Sequence, residues 1–302
     1  MSEEILKRRI KTTQELKEIV SNMKTLSSVS IWQYEQANKA LEKYRRNLRN
    51  AFHALMLNSG IPNVVSEMKE TGRILYILIG TDNGMVGKFN NEVIEKVKID
   101  MREKRISRKD ALFYVVGKRI AVLAEQAGLN IYGSIGVSNS VKVVGSLAET
   151  VLLAIDRATQ RERIERVSVC FHRRQGSASI VSEIRQIIPY DKSIMKNLRS
   201  KKWETNNIPQ VANDKKRLFT MLMNEALMIS MIRFLNDSLA AEHFTRMTSM
   251  QEAEKNIDEN LERMNLEYQQ RRQENITDEL IDVISGANAM QNKKIELSIL
   301  QE

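Results

Sequence analysis

The sequence predicts an α/β protein with long helical arms: N- and C-terminal helices pairing as an antiparallel coiled coil, with a small α/β domain inserted between them. Three observations predict it. Gln210 to Ser285 contains neither glycine nor proline, and Glu3 to Ser59 is equally free of them. Eleven of the twelve glycines fall between Gly60 and Gly176, and the three prolines (Pro62, Pro189, Pro209) lie in the middle of the 302 residues. A single helix over 210–285, at ~1.5 Å per residue, would be on the order of 115 Å long. A compact domain of this size is narrower than that, so an apolar stripe along such a helix needs a partner. The expected division is 1–59 as the first coiled-coil helix, 60–208 as the central domain with its linker, 209–290 as the second helix and 291–302 as a tail.

In the first arm the apolar and small residues step alternately by four and three: Leu16, Val20, Met23, Ser27, Ser30, Tyr34, Ala37, Leu41, Tyr44, Leu48, Ala51, Leu55. That average of 3.5 residues is the period of a coiled-coil seam. Ser27, Ser30, Ala37 and Ala51 are small enough to let a second helix come close. Gly60-Ile-Pro-Asn63 then ends the arm.

The middle reads as alternating short strands and helices. Arg73–Gly80 and Ala111–Gly117 are apolar runs bounded by breakers, the pattern of strands buried on both faces. Helices are expected from Asn91 to about Glu103, from Gly117 to about Gly128, and from about Lys142 to Gln160. A third strand fits Asn130–Val137, and Arg166–His172 with Ser177–Ile188 should close the sheet as a hairpin. Strand–helix alternation of this kind predicts a small, mostly parallel, Rossmann-like sheet. Residues 191–208 read as a linker in which Trp203 packs locally.

The second arm is expected to start near Pro209, since proline suits a first helical turn. Its apolar positions include Leu218, Leu222, Ile229, Ile232, Leu235, Leu239, Met247, Met250, Ile257, Leu261, Met264, Tyr268, Ile276, Leu280 and Ile284. The steps are less regular than in the first arm, and the methionines suit uneven packing. Charge favours pairing as well. Residues 1–59 hold eleven basic and six acidic residues, net +5, whereas 245–302 hold seven and twelve, net −5.

The net charge of +9 admits nucleic acid as a partner, and a coiled-coil nucleic-acid-binding or scaffold protein is the alternative reading. Sparse aromatics and the lack of zinc-finger spacing weigh against it, so no nucleic acid is expected. The lone Cys170, in the apolar run Val167–Phe171, reads as a buried structural thiol in a reducing compartment. No apolar run approaches ~18 residues and no signal core is evident, so no membrane insertion is expected. Gly80-Thr-Asp-Asn-Gly-Met-Val-Gly-Lys-Phe-Asn90 follows a strand, which raises the question of a phosphate loop. It lacks the glycine needed at 82, an Asp here, and the Ser or Thr needed after Lys88, where Phe89 stands. His53, His172 and His243 are scattered without metal-ligand spacing. The carboxylates Glu252, Glu254, Asp258, Glu259 and Glu262 are strung along a helix face. Neither a cofactor, a metal nor a catalytic constellation is expected.

The motif Glu242-x-x-x-Arg-Met247-x-x-Met250-x-x-Ala253-x-x-Asn256 continues to Arg272-Gln273-x-x-Ile276-Thr277-x-Glu279-Leu280 and Ile284-x-Gly-Ala287-x-Ala289. In order and spacing it resembles the C-terminal signature of the gamma subunit of rotary F-type ATP synthases. Lys7-Arg-Arg-Ile10 with Met23-Lys24 is similar to that family's opening helix. Gly84-Met-Val-Gly-Lys-Phe-Asn90 is similar to its central Gly-Leu-Cys-Gly-x-Phe/Leu-Asn motif, and Gln186–Pro189 to a strand ending Leu-Leu-Pro. The resemblance implies a non-catalytic rotor shaft inside a ring of alternating alpha and beta subunits. The inserted domain would rest with epsilon on the membrane rotor ring. It implies contact with the upper loops of beta through Arg272, Gln273, Thr277 and Glu279, and with its lever region through Met23, Lys24 and Arg246. It also implies a peripheral position on the cytoplasmic face of the inner (plasma) membrane. Met85 and Val86 replace the family's Leu and Cys, and Gln269 replaces its usual Asn. These departures, with the tail from Gln291, imply a divergent branch, such as a sodium-type or otherwise atypical bacterial enzyme. No cysteine pair is available for redox control.

Overall fold

The computed structural model describes residues 3–58, 72–137, 140–176, 179–190, 197–198, 200–203, 207, 210–211 and 214–299, with side chains to residue 287. The expected turn at Gly60–Asn63, Pro209 and most of the linker lie outside these residues. The elements are α1 (Glu3–Asn58), β1 (Arg73–Ile79), α2 (Phe89–Glu103), β2 (Ala111–Val116), α3 (Lys118–Gln126), β3 (Ile131–Ile135), α4 (Val144–Glu162), β4 (Ile164–Gln175), β5 (Ser179–Ile188) and α5 (Lys215–Ile299). Contacts divide the chain into two compact units, Thr25–Ser249 and Met1–Lys24 with Met250–Glu302.

The larger unit is built on a five-stranded sheet of order β3-β2-β1-β4-β5. β1 runs parallel to β2 and β4, β2 is parallel to β3, and β4–β5 is the antiparallel hairpin. Successive side chains of a strand point to opposite faces, so each central strand feeds two cores. Ile74, Tyr76 and Leu78 of β1 join Ala111, Phe113 and Val115 of β2 under α2 and α3. Leu75, Ile77 and Ile79 join Leu112, Tyr114, Val116, Val167 and Val169. This second face is covered by Leu147, Val151 and Ile155 of α4, by Tyr34 of α1 and by Met231, Leu235 and Leu239 of α5. The continuous apolar runs read in the sequence thus reflect burial on both sides.

Within this unit α1 and α5 run antiparallel. Asn38 Nδ2 donates to Asp237 Oδ1 at 2.6 Å, and Tyr44 Oη donates to Glu225 Oε1 at 2.8 Å. Phe52 meets Phe219 edge-on at 6.2 Å, within a cluster that also holds Leu55, Met56, Leu198 and Ala226. Trp203 packs on His53 of α1 at 5.0 Å. Asp214 caps α5, its Oδ1 accepting the amides of Lys216 and Arg217 at 3.0 and 3.2 Å. The helix therefore starts later than Pro209 suggests: a side-chain cap that satisfies two free amides sets the boundary. α5 contains an 18-residue window with a mean hydropathy of 1.5, long and apolar enough to cross a membrane, contrary to the reading of the bare sequence. Phe219, Ala226, Met231 and Leu235 of this helix are taken up by the protein's own clusters.

In the smaller unit the pairing is also antiparallel. Lys17 reaches Asp258 at 2.6 Å, Lys24 is ion-paired with Glu254, and Asn275 Nδ2 donates to Glu3 Oε2 at 2.9 Å. These pairs answer the opposite charges of the arms. Lys17–Asp258 is largely exposed and Lys24–Glu254 half-buried, and exposed pairs contribute little each. The seam begins differently from the expected one. Leu16 is 50% exposed, and the inward stripe is Leu6, Ile10, Thr13, Lys17 and Val20, joining the predicted seam at Val20. α5 passes through Gly286 to Ile299, so neither that glycine nor Gln291 ends it.

Candidate subunit-contact surface

The loop after β1 has the position at which open α/β sheets bind ligands, outside the carboxyl ends of the strands. Here it is filled. Val86 and Phe89 pack with Ala241 of α5, all three buried. Asp82 Oδ1 accepts the amides of Lys118 and Val137 at 2.8 and 2.9 Å, tying the ends of three strands together. Asn90 Oδ1 accepts the Thr81 amide at 3.0 Å, while its Nδ2 donates to Thr81 Oγ1 at 2.9 Å. The Phe89 ring lies tilted against His172 at 4.0 Å between centroids, and the Phe89 carbonyl lies 2.8 Å from His172 Nε2. A Cβ at Gly80 would lie 2.6 Å from Ile120, so only glycine fits there without displacement. The Gly-Lys-Phe-Asn segment is a structural joint, with Phe89 and Asn90 buried and bonded within the chain.

Among the described residues no group of three His, Cys, Asp or Glu side chains could hold a metal ion. Cys170 is buried, with Sγ 3.6 Å from the Val93 carbonyl oxygen, and burial pushes its thiol well above the usual range. A thiol held in that form is a packing group, not a nucleophile.

The residues expected to meet partner subunits separate into two kinds. Lys24 and Arg246 have partners within the chain. The Lys24 ammonium is on Glu254, and Met23 beside it is half-buried. Arg246 is only 7% exposed, its Nη2 lies 2.6 Å from Glu242 Oε1, and its Nη1 lies 3.4 Å from His243 Nδ1. Burial raises the Glu242 carboxyl, and the Arg246 charge partly offsets it. Burial, reinforced by the Arg246 charge, lowers His243 to about 4. Arg246 is thus a buried internal ion-pair partner. The sequence signal was present, since Glu242-x-x-x-Arg246 is the i,i+4 spacing of a helical pair inside an apolar stretch.

Arg272, Gln273, Thr277 and Glu279 are all exposed on α5. Helical spacing places Gln273 and Thr277 on one stripe and Arg272 and Glu279, with Ile276, on the next. The surroundings of these residues are not legible in the sequence. α1 begins at Glu3, opposite Asn275, and every described residue of α5 from 276 to 287 is exposed. Ile276, Leu280, Val283 and Ile284 are 48%, 57%, 70% and 57% exposed. Of these, Ile276, Leu280 and Ile284 belong to the arm's expected apolar stripe, but no residue of α1 is described beyond the level of Asn275.

The fold is thus one of long antiparallel helices with an inserted α/β sheet whose crevice is packed from within. Comparison with known proteins agrees. Residues 2–290 match the family model described as ATP synthase. The chain is 24% identical over 296 residues to the ATP synthase gamma chain of Cytophaga hutchinsonii, covering 95% of this chain and 98% of that one. It is 26% identical over 300 residues to that of Campylobacter concisus, with 94% and 98% covered. Its fold is similar to a chain in the Euglena gracilis mitochondrial ATP synthase rotor (TM-score 0.63, 16% identity, 91% and 98% covered). It is similar also to a chain in the Tetrahymena thermophila central stalk and c-ring (TM-score 0.51, 17% identity, 78% and 99% covered). The chain belongs to the ATP synthase family, as a gamma subunit: a non-catalytic component of the central stalk in a membrane complex.

Proposed function

We propose that this gamma subunit couples the ATP chemistry of the beta subunits to ion movement through the membrane rotor ring by turning inside the alpha and beta subunits. It carries no reaction of its own. The end of α5 engages the head, and the inserted domain, with epsilon, engages the ring, at the cytoplasmic face of the plasma membrane. The observation that carries this reading is the stretch of α5 from 272 to 284, where Ile276, Leu280, Val283 and Ile284 stand exposed beside Arg272, Gln273, Thr277 and Glu279. An apolar stripe left in water on a single helix is a surface built for a partner. Polar groups beside it add hydrogen bonds that make and break with orientation. Because the helix pair has no rotational symmetry, it presents a different face to each of three beta subunits at one instant and biases their nucleotide affinities differently. Lys24 and Arg246 stiffen the shaft and act through that stiffness.

Affinity purification of the tagged chain from its own cells tests the partner assignment. The alpha and beta subunits are expected with it in stoichiometric amounts. Recovery of the chain alone, or with nucleic acid, would overturn the reading.

A further inference from the structure

β4 is twelve residues long, yet its pairing with β1 stops at Cys170. From Phe171 onward it is paired only with β5, as a two-stranded ribbon. A two-stranded ribbon is marginal on its own and takes its position from what it packs on. Near the end of this ribbon, Arg174 bonds two helices at once. Its Nη1 donates to the Glu35 carboxylate of α1, and its guanidinium carbon lies 4.7 Å from the ring centroid of Phe244 in α5. Across the ribbon from Arg174, Ile180 packs against the Val86, Phe89 and Ala241 cluster. Around the same level α1 and α5 are joined by the Tyr34–His243 stack at 5.8 Å and by the Asn38–Asp237 bond at 2.6 Å.

The other contacts between sheet and helices are mostly apolar. Apolar contacts hold surfaces together but are non-directional, so they resist separation better than sliding. An ion pair and a cation–π contact are directional, and a guanidinium engaged by both helices fixes one register. We propose that Arg174 is the torque key of this subunit. It is a positioning residue that keeps the inserted domain from slipping around the helix pair when load is applied. The inference rests on the rotor reading above. The pairing partner Glu35 and the seat Phe244 are parts of the same device.

The test uses the whole complex reconstituted in vesicles, measuring ATP hydrolysis and ATP-driven ion uptake together. For R174A, hydrolysis should stay within about twofold of the parent while ions moved per ATP fall several-fold. R174K, which keeps charge but not the planar stacking surface, should lie between. The charge swap E35R/R174E restores the ion pair but not the Phe244 contact, so it should recover part of the lost coupling, to about the level of R174K, a rescue that mere loss of packing would not give. An unchanged ion-to-ATP ratio in assembled R174A complexes would overturn the proposal. If R174A does not assemble, the swap decides: an assembled but uncoupled swap overturns it, and a coupled one supports it. Failure of the rotor reading itself looks different, since complexes with the unaltered chain would then show no coupled uptake.

Discussion

Glu242 and Arg246 lie together in the interior of the larger unit, 2% and 7% exposed. Breaking a buried pair by removing one partner strands the other charge and costs about 3–5 kcal/mol, whereas replacing both by apolar groups of similar volume is near neutral. E242A or R246A should therefore lower the urea midpoint sharply, and E242L/R246M should recover most of the loss. Beside them, His243 is held to about 4 by burial and by Arg246. Between that value and its ordinary 6.5 the unfolded chain binds a proton at this ring that the folded chain does not, so stability falls as pH falls through the window. The full effect is on the order of 3 kcal/mol. Burial lowers His172 as well, with the same sign, and raises Glu242, whose contribution is lost as pH rises. Both groups persist in H243Q, so the difference between parent and variant isolates His243. Urea titrations from about pH 7 to 4 should show a flatter profile for H243Q.

At the scale of elements, period and punctuation in the sequence reveal most of the fold. The strands at 73–79 and 111–116 are continuous apolar runs because both faces are buried, and composition alone reveals that. The seam of α1 is legible from Val20 onward. Before it, Leu16 and Lys17 compete for the inward position, and the choice falls to Lys17 because Asp258 stands opposite, a partner that no local pattern discloses. The start of α5 escapes sequence reading for a similar reason, since proline marks where a helix is permitted and the Asp214 cap marks where it begins. Gly286 has the look of a stop, yet the helix passes through it, and a Cβ there would meet nothing within 4 Å. G286A should accordingly stabilise this turn by about 1 kcal/mol. The amides around residue 286 should exchange more slowly with deuterium in the variant, and faster exchange would mean that the glycine serves a bend.

For the whole molecule, the candidate site is only half legible in the sequence. Residue types at 272–279 can be matched to a resembling family, but exposure cannot be read from them. The same helical spacing describes Ile276, Leu280 and Ile284 whether or not a second helix covers them. The structure separates the two cases, and in it all three are exposed. Lys24 and Arg246, expected as contact residues, also hold ion-pair partners within the chain. Arginine and lysine on a helix look the same outward or inward, and the difference lies in a partner far along the chain for Lys24 and one turn away for Arg246. A stripe that serves as a bearing surface should not tolerate charge. L280E/I284E should leave the helicity of the isolated chain intact, by circular dichroism, while weakening its assembly with alpha and beta subunits by about tenfold or more.

On the proposed reading, the exposed stretch of α5 around Arg272–Ile284 couples this subunit to the head. The measurement that bears on it most directly is ATP-driven ion uptake, taken alongside ATP turnover, in vesicles reconstituted with R272A/Q273A. A several-fold loss of coupled uptake, or of assembled complex, is expected, with the isolated chain as helical and as stable as its parent. Turnover and uptake both equal to the parent's, in fully assembled complexes, would contradict it.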